Sequence, residues 1–180
     1  MTVGTNAGTN AGTNAEMTNH ETNAGKNPAA SIEPNPGRYL EKSAAAHTGR
    51  HAGTNIERVR TDSAHEQALG SSKAVAAGDF VLVTGSVSAE ALDVGDPYEQ
   101  ARDALGGAVA ALEPFGLDAD SVLRTRLYLR HARDAEDVQR AHRELFAAVG
   151  PVTTMVVVSR FPDSRVLVEV ELEAYRGAAR

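Results

Sequence analysis

Apolar and polar residues alternate with a period of two in several short stretches of the chain, a pattern typical of half-buried β-strands. Residues 56–60 (IERVR) show this alternation, and residues 73–76 and 80–85 lie on either side of a glycine-containing turn at 77–79. Two such stretches joined by a short turn predict a β-hairpin. The pattern predicts three more strands, at residues 122–130, 153–160 and 166–175.

Two longer stretches follow the helical period instead. The first begins with Asp96 as a predicted N-cap, Pro97 at the first helical position and Glu99 completing a capping box. It should end at Pro114 and Gly116, which interrupt helical hydrogen bonding. Its apolar face consists of Ala101, Ala104, Leu105, Ala108 and Leu112.

A second helix is predicted between Asp134, as its cap, and Gly150 with Pro151, which end it. Its apolar face consists of Val138, Ala141, Leu145 and Ala148. The predicted order is β-β-β-α-β-α-β-β, or ββαβαββ if the first strand pairs closely with the hairpin. Because both helices are amphipathic, we expect both to cover one face of one sheet, which is an α+β fold.

Two predicted strands carry rows of charge on one side. In residues 122–130 the predicted apolar side holds Leu123, Leu127 and Leu129, and the other side holds Arg124, Arg126, Tyr128 and Arg130. In residues 166–175 the charged side holds Glu169, Glu171, Glu173 and Tyr175. If the leucines and valines face the helices, both charged rows share the opposite face of the sheet. This face is either solvated and ion-paired, or it lines an oligomer interface or a cleft.

Residues 1–55 differ in composition from the rest of the chain. They repeat the words TNAG and GTN and contain few large apolar residues, so we expect a disordered segment. It lacks the apolar stretch of a signal peptide and the arginine-rich, acid-poor composition of a transit peptide. It is either a linker or docking tail or, as we prefer, a non-essential extension. The foldable domain is predicted at 56–176, followed by a short tail at 177–180.

Composition and charge exclude several classes of function. The chain has 180 residues, a net charge of −6 and no cysteine, so it forms no disulfide and no thiolate metal site. The acidic balance argues against binding to nucleic acid, and no apolar run is long enough for a membrane helix. The folded part shows no histidine pair at metal-ligand spacing and no nucleotide-binding glycine motif. We therefore expect a cytoplasmic protein without a cofactor, a metal, a nucleic-acid partner or a membrane partner.

Several stretches, taken in order, resemble the Rid proteins, the reactive intermediate deaminases also named endoribonuclease L-PSP. They are residues 78–85 (GDFVLVTG), the predicted helix at 96–113, residues 123–129 (LRTRLYL), Gly150 and Pro151 with the following strand, and residues 168–174 (VEVELEA). The resemblance covers about 56–176. It implies a chorismate-mutase-like fold with two helices on one face of a single sheet. It also implies a homotrimer with small-molecule clefts between its subunits.

The resemblance further implies an activity, the hydrolysis of enamines and imines such as 2-aminoacrylate to a keto acid and ammonia. The position of the family's carboxylate-binding arginine is held here by Thr153, and the position of a frequent cysteine is held by Met155. Thr84 and Glu171 match the family's hydroxyl and carboxylate positions, and Ser72 lies near the place of a frequent tyrosine. The chain is therefore similar to the divergent branches of the family that lack the deaminase arginine.

These considerations give a set of candidate residues. The catalytic candidates are Glu171, Arg126 and Thr84, and the substrate-binding candidates are Arg124, Thr153, Ser72 and Tyr128. Arg124 and Arg126 either supply the missing positive charge or only pair with Glu169 and Glu173. The missing arginine favours a trimer that binds a metabolite or a partner without turnover. The retained Thr84 and Glu171 favour a hydrolase, and an endoribonuclease is the weakest alternative because the chain is acidic.

Overall fold

The computed structural model describes residues 47–50 and 55–177, and within them it contains a seven-stranded sheet. The strands are β1 His47–Arg50, β2 Ile56–Arg60, β3 Ala74–Ala77, β4 Phe80–Val87, β5 Val122–Leu129, β6 Val152–Val157 and β7 Val168–Tyr175. The helices are α1 Ala64–Leu69, α2 Pro97–Ala110 and α3 Ala135–Phe146. The predicted α+β class with a single sheet is confirmed.

The strands lie in the order β1-β2-β3-β4-β7-β5-β6, so the last strand of the chain is inserted at the centre of the sheet. β4 and β5 both pair with β7 in antiparallel fashion, and β6 pairs with β5 in parallel. The long helices α2 and α3 pack against each other and against one face of the sheet. The opposite face, which we call the open face, carries Arg124, Arg126, Glu169, Glu171 and Glu173.

The predicted start of α2 is confirmed at the level of single atoms. The Asp96 carboxylate accepts a hydrogen bond from the Glu99 backbone N–H at 3.0 Å, and Pro97 is the first residue of the helix. The predicted apolar face of α2 is fully buried at Ala101, Ala104, Leu105, Ala108 and Leu112. The sequence pattern therefore fixes the position of this helix on the sheet.

The start and end of α3 differ from the prediction. A short 3-10 helix, Ala132–Asp134, precedes it and leaves Asp134 in a helical conformation, so the Asp134 side chain makes no capping hydrogen bond. A capping side chain normally belongs to a residue with extended backbone. The helix ends at Phe146, which is buried in place of the predicted Ala148, and Ala148 is exposed. The Gly150 N–H bonds to the Phe146 carbonyl group with Gly150 at φ 66°, which closes the helix end.

Two elements were not predicted. α1 begins after Ser63, whose hydroxyl accepts from the Glu66 N–H at 3.5 Å, and it is too short to show a helical period. β1 lies inside the segment 1–55 predicted to be disordered, and it pairs there with β2 in antiparallel fashion. The prediction for residues 1–46 and 51–54, and that for 178–180, lies outside the described residues.

No helix in the described ranges combines the length and the apolar character that crossing a membrane requires.

Gln100 ties α2 to the segment that leads into β7. Its fully buried side-chain amide donates to the Arg165 carbonyl oxygen at 2.9 Å and accepts from the Leu167 N–H at 2.9 Å. We expect Gln100→Leu to lower the free energy of unfolding by about 2–4 kcal/mol, because two backbone groups lose their partners. Urea denaturation at one fixed protein concentration measures this change. Arg102→Leu on the exposed side of α2 should change it by under about 0.5 kcal/mol, and equal effects of the two variants would contradict the prediction.

Candidate functional site

The open face contains an irregularity at its centre, in β4. The pairing of β4 with β7 shifts between Val83 and Ser86, so that Thr84 and Gly85 together lie opposite the single residue Glu171. This arrangement is a β-bulge, and bulges are frequent beside active sites because they redirect side chains. Two residues predicted as catalytic, Thr84 and Glu171, are therefore brought together at one bulge. The Thr84 side chain is exposed there.

Gly85 leaves room at this bulge for the side chain that lies over it. A Cβ atom at position 85 would overlap with the Oε1 atom and the carboxyl carbon of Glu169. The absence of a side chain at Gly85 thus makes the space that the Glu169 carboxylate occupies. The backbone at Gly85 has no positive φ angle, so the reason for glycine is this close approach.

Glu169 is half-buried and has an unusual environment for a carboxylate. Within the described residues its carboxylate makes no hydrogen bond and no ion pair within 4 Å. Burial, followed by repulsion from Glu171, raises the pKa of Glu169, while the nearby charges of His65 and Lys73 oppose the rise. A carboxylate with a raised pKa and open bonding positions can accept and return a proton, as a general acid–base group must.

Glu171, the predicted catalytic carboxylate, is instead engaged by its neighbours. Its Oε2 atom accepts a hydrogen bond from the Tyr128 hydroxyl at 3.1 Å and lies 3.6 Å from the Arg126 guanidinium. Arg126 also pairs with Glu173 at 2.7 Å, and Arg124 pairs with Glu173 at 3.6 Å. The predicted charged rows therefore do face each other across β5 and β7. Their pairs involve Glu171 and Glu173, whereas Glu169, which we expected in them, lies opposite Tyr128.

Lys73 completes the group of polar residues near the bulge. Its ammonium group donates to the Ser86 hydroxyl at 2.7 Å and interacts electrostatically with the carboxylates of Glu66 and Glu169. Burial lowers the pKa of Lys73, while the two carboxylates oppose that change. Ser72, predicted to bind substrate, directly precedes Lys73 and is partly buried in the loop between α1 and β3.

Thr153 lies on the other side of the sheet. In the parallel register it aligns with the fully buried Thr125, whereas its neighbours on β6 align with the arginines of the open face. Its hydroxyl lies 2.9 Å from the Thr125 hydroxyl and 3.3 Å from Nε2 of His142 on α3. Burial lowers the pKa of His142, which favours the neutral ring. The structure of the chain therefore places Thr153 on the opposite side of the sheet from Glu171.

The open face also exposes large apolar side chains. Phe80 and Leu82 of β4 are about half exposed, at 54% and 50% of their surface, and the Phe80 ring contacts that of Tyr175 with centroids 5.0 Å apart. On β6, Val152 and Val156 align with Arg124 and Tyr128 and are exposed as well. The apolar residues therefore lie on both sides of the charged centre. In the described part of the chain, no group of three His, Asp or Glu side chains is placed to hold a metal ion.

Sequence reasoning missed Glu169 and Lys73 as site residues. Glu169 carried a detectable signal, because it lies two residues before Glu171 and so points to the same face. To choose Glu169 rather than Glu171 as the candidate carboxylate requires knowledge of the bulge at Gly85, and no local sequence pattern reveals that bulge. Lys73 carried no such signal, since its neighbours come from α1 and β4.

Comparisons with known proteins agree with this architecture. The family model described as Endoribonuclease L-PSP matches residues 62–176. An uncharacterised protein of Streptomyces coelicolor, SCO2049, is 52% identical over 126 residues, which cover 68% of this chain and 94% of that protein. The crystal structure of Rv2704 from Mycobacterium tuberculosis, a member of the YjgF/YER057c/UK114 family, is 34% identical with a TM-score of 0.63. It covers 67% of this chain and 99% of that chain. The YjgF gene product of E. coli, 24% identical with a TM-score of 0.53, covers 58% and 87% and is similar in fold.

Proposed function

The chain belongs to the endoribonuclease L-PSP family, the Rid proteins, and from this membership we propose that it hydrolyses a small reactive imine or enamine on its open face. The products are a carbonyl compound and ammonia. The observation that carries the proposal is the Glu169 carboxylate, which is half-buried over Gly85 and makes no hydrogen bond within the described residues.

The chemistry needs one group that moves protons in both directions. As a water oxygen bonds to the imine carbon, Glu169 takes a proton from that water and passes it to the nitrogen, which gives a carbinolamine. Glu169 then takes the carbinol proton and passes it to the nitrogen as well, so the carbon–nitrogen bond breaks and leaves a carbonyl group and ammonia. An enamine first accepts a proton at its terminal carbon and so becomes the imine. We assign the exposed hydroxyl of Thr84, beside Gly85, to holding the attacking water.

This proposal changes the roles expected for three residues. Arg126, Glu171 and Tyr128 bind one another, so their polar groups are less available to a substrate than those of Glu169. We assign them to the shape of the open face and to the pKa of Glu169, which Glu171 raises. Arg124 and Arg126 are thus members of a cross-strand ion-pair network.

We also propose that the chain assembles as a homotrimer through its open face. Phe80 and Leu82 on β4 and Val152 and Val156 on β6 are exposed there, and exposed large apolar residues grouped on one face commonly mark an interaction surface. In a closed assembly the same face would shield Glu169 from bulk water. That shielding would strengthen the electrostatic interactions on which the reaction depends.

A second candidate is a binding protein that holds a metabolite on the same face without turnover. It is supported by Thr153, which stands where the family's arginine is expected and is bonded to Thr125 on the helix side of the sheet. An endoribonuclease, the activity in the name of the matching family, is less well supported because the net charge is −6.

A direct test measures imine loss. An amino-acid oxidase generates imines from amino acids, and semicarbazide traps the imine that remains. We expect the wild-type protein to lower semicarbazone formation in proportion to its concentration. An unchanged semicarbazone yield, together with binding of 2-oxo acids in calorimetry, would overturn the hydrolase and support the binding protein.

Gly85→Ala tests the observation on which the proposal rests. The added methyl group displaces the Glu169 carboxylate, which is the end of a flexible side chain, so the sheet should persist. We expect the rate to fall about 10- to 100-fold, because displacing a catalytic group by an ångström has effects of this order. Ala77→Gly, at the exposed end of β3, is the control for a change of one methyl group. Full activity of a folded Gly85→Ala variant would contradict the assigned position of Glu169.

A further inference from the structure

Lys73 has a rigidly held backbone beside the bulge. Its N–H donates to the Val59 carbonyl oxygen at 2.8 Å, and its own carbonyl oxygen accepts from the Thr84 N–H at 3.0 Å. The residue is thus fixed between β2 and β4, directly opposite one of the two bulge residues. A side chain that starts from such a position has a well-defined reach, which is what a binding site requires.

The ammonium group of Lys73 has unused hydrogen-bonding capacity. One of its three hydrogens is directed to the Ser86 hydroxyl oxygen at 2.7 Å, and Ser86 in turn donates to the Thr84 carbonyl oxygen at 3.2 Å. In the described ranges the ammonium makes no other hydrogen bond and no ion pair within 4 Å. Two donors of a largely buried cation therefore have no partner within the described residues.

The Lys73 ammonium group suits a ligand with an anionic group, because only one of its three hydrogens has a partner in the described residues. Glu66, one of the two nearby carboxylates, is already occupied, since its two oxygens accept from the Thr61 N–H at 2.9 Å and the Thr61 hydroxyl at 3.0 Å. The other, Glu169, has open bonding positions of its own. Lys73 and Glu169 thus present a cation and a carboxylate that are near each other but do not form a close ion pair.

We propose that Lys73 is the substrate-binding cation of this site and that it holds a carboxylate group of the substrate beside Glu169. This inference rests on the proposed function, since it names the group that recognises the substrate of that reaction. A carboxylated imine carries a negative group next to a nitrogen that is positive when protonated. Lys73 can bind the carboxylate of such an imine and Glu169 its protonated nitrogen, so one ligand interacts with both side chains. A charge-assisted contact of this kind is worth more in a partly buried site than in water.

The substrates for the test differ only in the carboxylate. Leucine with an amino-acid oxidase gives a carboxylated imine, and 3-methylbutylamine with a flavin-dependent amine oxidase gives the imine without the carboxylate. For Lys73→Met we expect KM for the leucine-derived imine to rise about 10- to 100-fold with little change in kcat. The kinetic constants for the amine-derived imine should stay within about twofold.

Two further variants separate charge from structure. Lys73→Arg keeps the positive charge and should recover a large part of the affinity lost in Lys73→Met. Arg102→Met removes one positive charge from the outer side of α2 and should leave both substrates unaffected. If Lys73→Met changes the two imines equally, or if Lys73→Arg recovers nothing, Lys73 is a structural residue and the inference is overturned.

A binding experiment on the wild-type protein needs neither turnover nor a folded variant. Acetic anhydride acetylates free lysine amines, and mass spectrometry reads the modification at Lys73. We expect 4-methylpentanoate to protect Lys73 and the neutral 4-methylpentanamide to give no protection. Protection without imine hydrolysis would uphold Lys73 as the carboxylate-binding residue while refuting the hydrolase. Equal modification of Lys73 with both compounds would overturn the inference even if hydrolysis is observed.

Discussion

Replacement of Glu169 by glutamine is expected to lower the rate of imine hydrolysis by about 100- to 10,000-fold, the range typical for loss of a general acid–base group. The amide keeps the shape of the side chain over Gly85 but neither accepts nor returns a proton at useful rates. Folding should be preserved, because burial already raises the pKa of Glu169 and a neutral group is tolerated there. The measurement is semicarbazone formation at saturating substrate.

Glu171→Gln is the matched control, since it makes the same change two residues along the same strand. The variant loses the partly exposed ion pair between Glu171 and Arg126 at 3.6 Å, which is worth under about 1 kcal/mol, while the amide oxygen still accepts from the Tyr128 hydroxyl. We expect a loss of activity below about tenfold. If Glu171→Gln inactivates the protein while Glu169→Gln does not, the assignment made from the sequence alone is the correct one.

The pH dependence gives an independent signature of Glu169. A general base acts in its ionised form, so the rate should rise with pH as Glu169 loses its proton. Because burial raises the pKa of Glu169, this rise should lie above the usual range of glutamate side chains. In Glu169→Gln the rise should be absent from the residual activity. A rise that persists unchanged in that variant would assign it to another group.

The sequence pattern predicted the main elements because they depend on local periodicity. The capped start of α2 and its buried face follow from residues within a few turns of one another. Register shifts in the pairing of two β-strands cannot be predicted from such local patterns. Leu123 was assigned to the apolar face, yet the register shift between Val122 and Arg124 leaves it exposed while Val122 is buried. The bulge at Thr84 and Gly85 escaped prediction for the same reason, since it depends on the pairing with β7.

The candidate site shows the same division between local and long-range information. Period-two alternation correctly placed Arg126 and Glu171 on one face and opposite each other. It could not distinguish the occupied carboxylate, Glu171, from the open one, Glu169, because that difference comes from residues on β4 and β5. Thr153 was grouped with them by resemblance, but its register with Thr125 places it on the helix side. Contacts between distant segments therefore decide the chemistry of this face.

The largest structural effect is expected from Leu82→Asp. Leu82 is 50% exposed on the open face, where it lies opposite Glu173 on β7. In the proposed trimer the new carboxylate would be buried in the interface next to an existing one, and an unpaired buried charge costs several kcal/mol. We therefore expect the assembly of 18.9 kDa chains to dissociate to monomers at micromolar concentration. Light scattering coupled to size-exclusion chromatography measures the molar mass.

Val94→Asp is the matched control for this substitution. Val94 is 66% exposed in the segment before α2, away from the open face, so the same change there should leave the molar mass unaltered. Imine hydrolysis should fall with the loss of the Leu82→Asp assembly, because bulk water then reaches the part of the open face that the interface shields in the proposed trimer. A monomeric wild-type protein would refute the trimer itself. A trimeric Leu82→Asp variant would instead place the interface on another surface of the domain, and full activity in a monomeric variant would show that one chain carries the complete site.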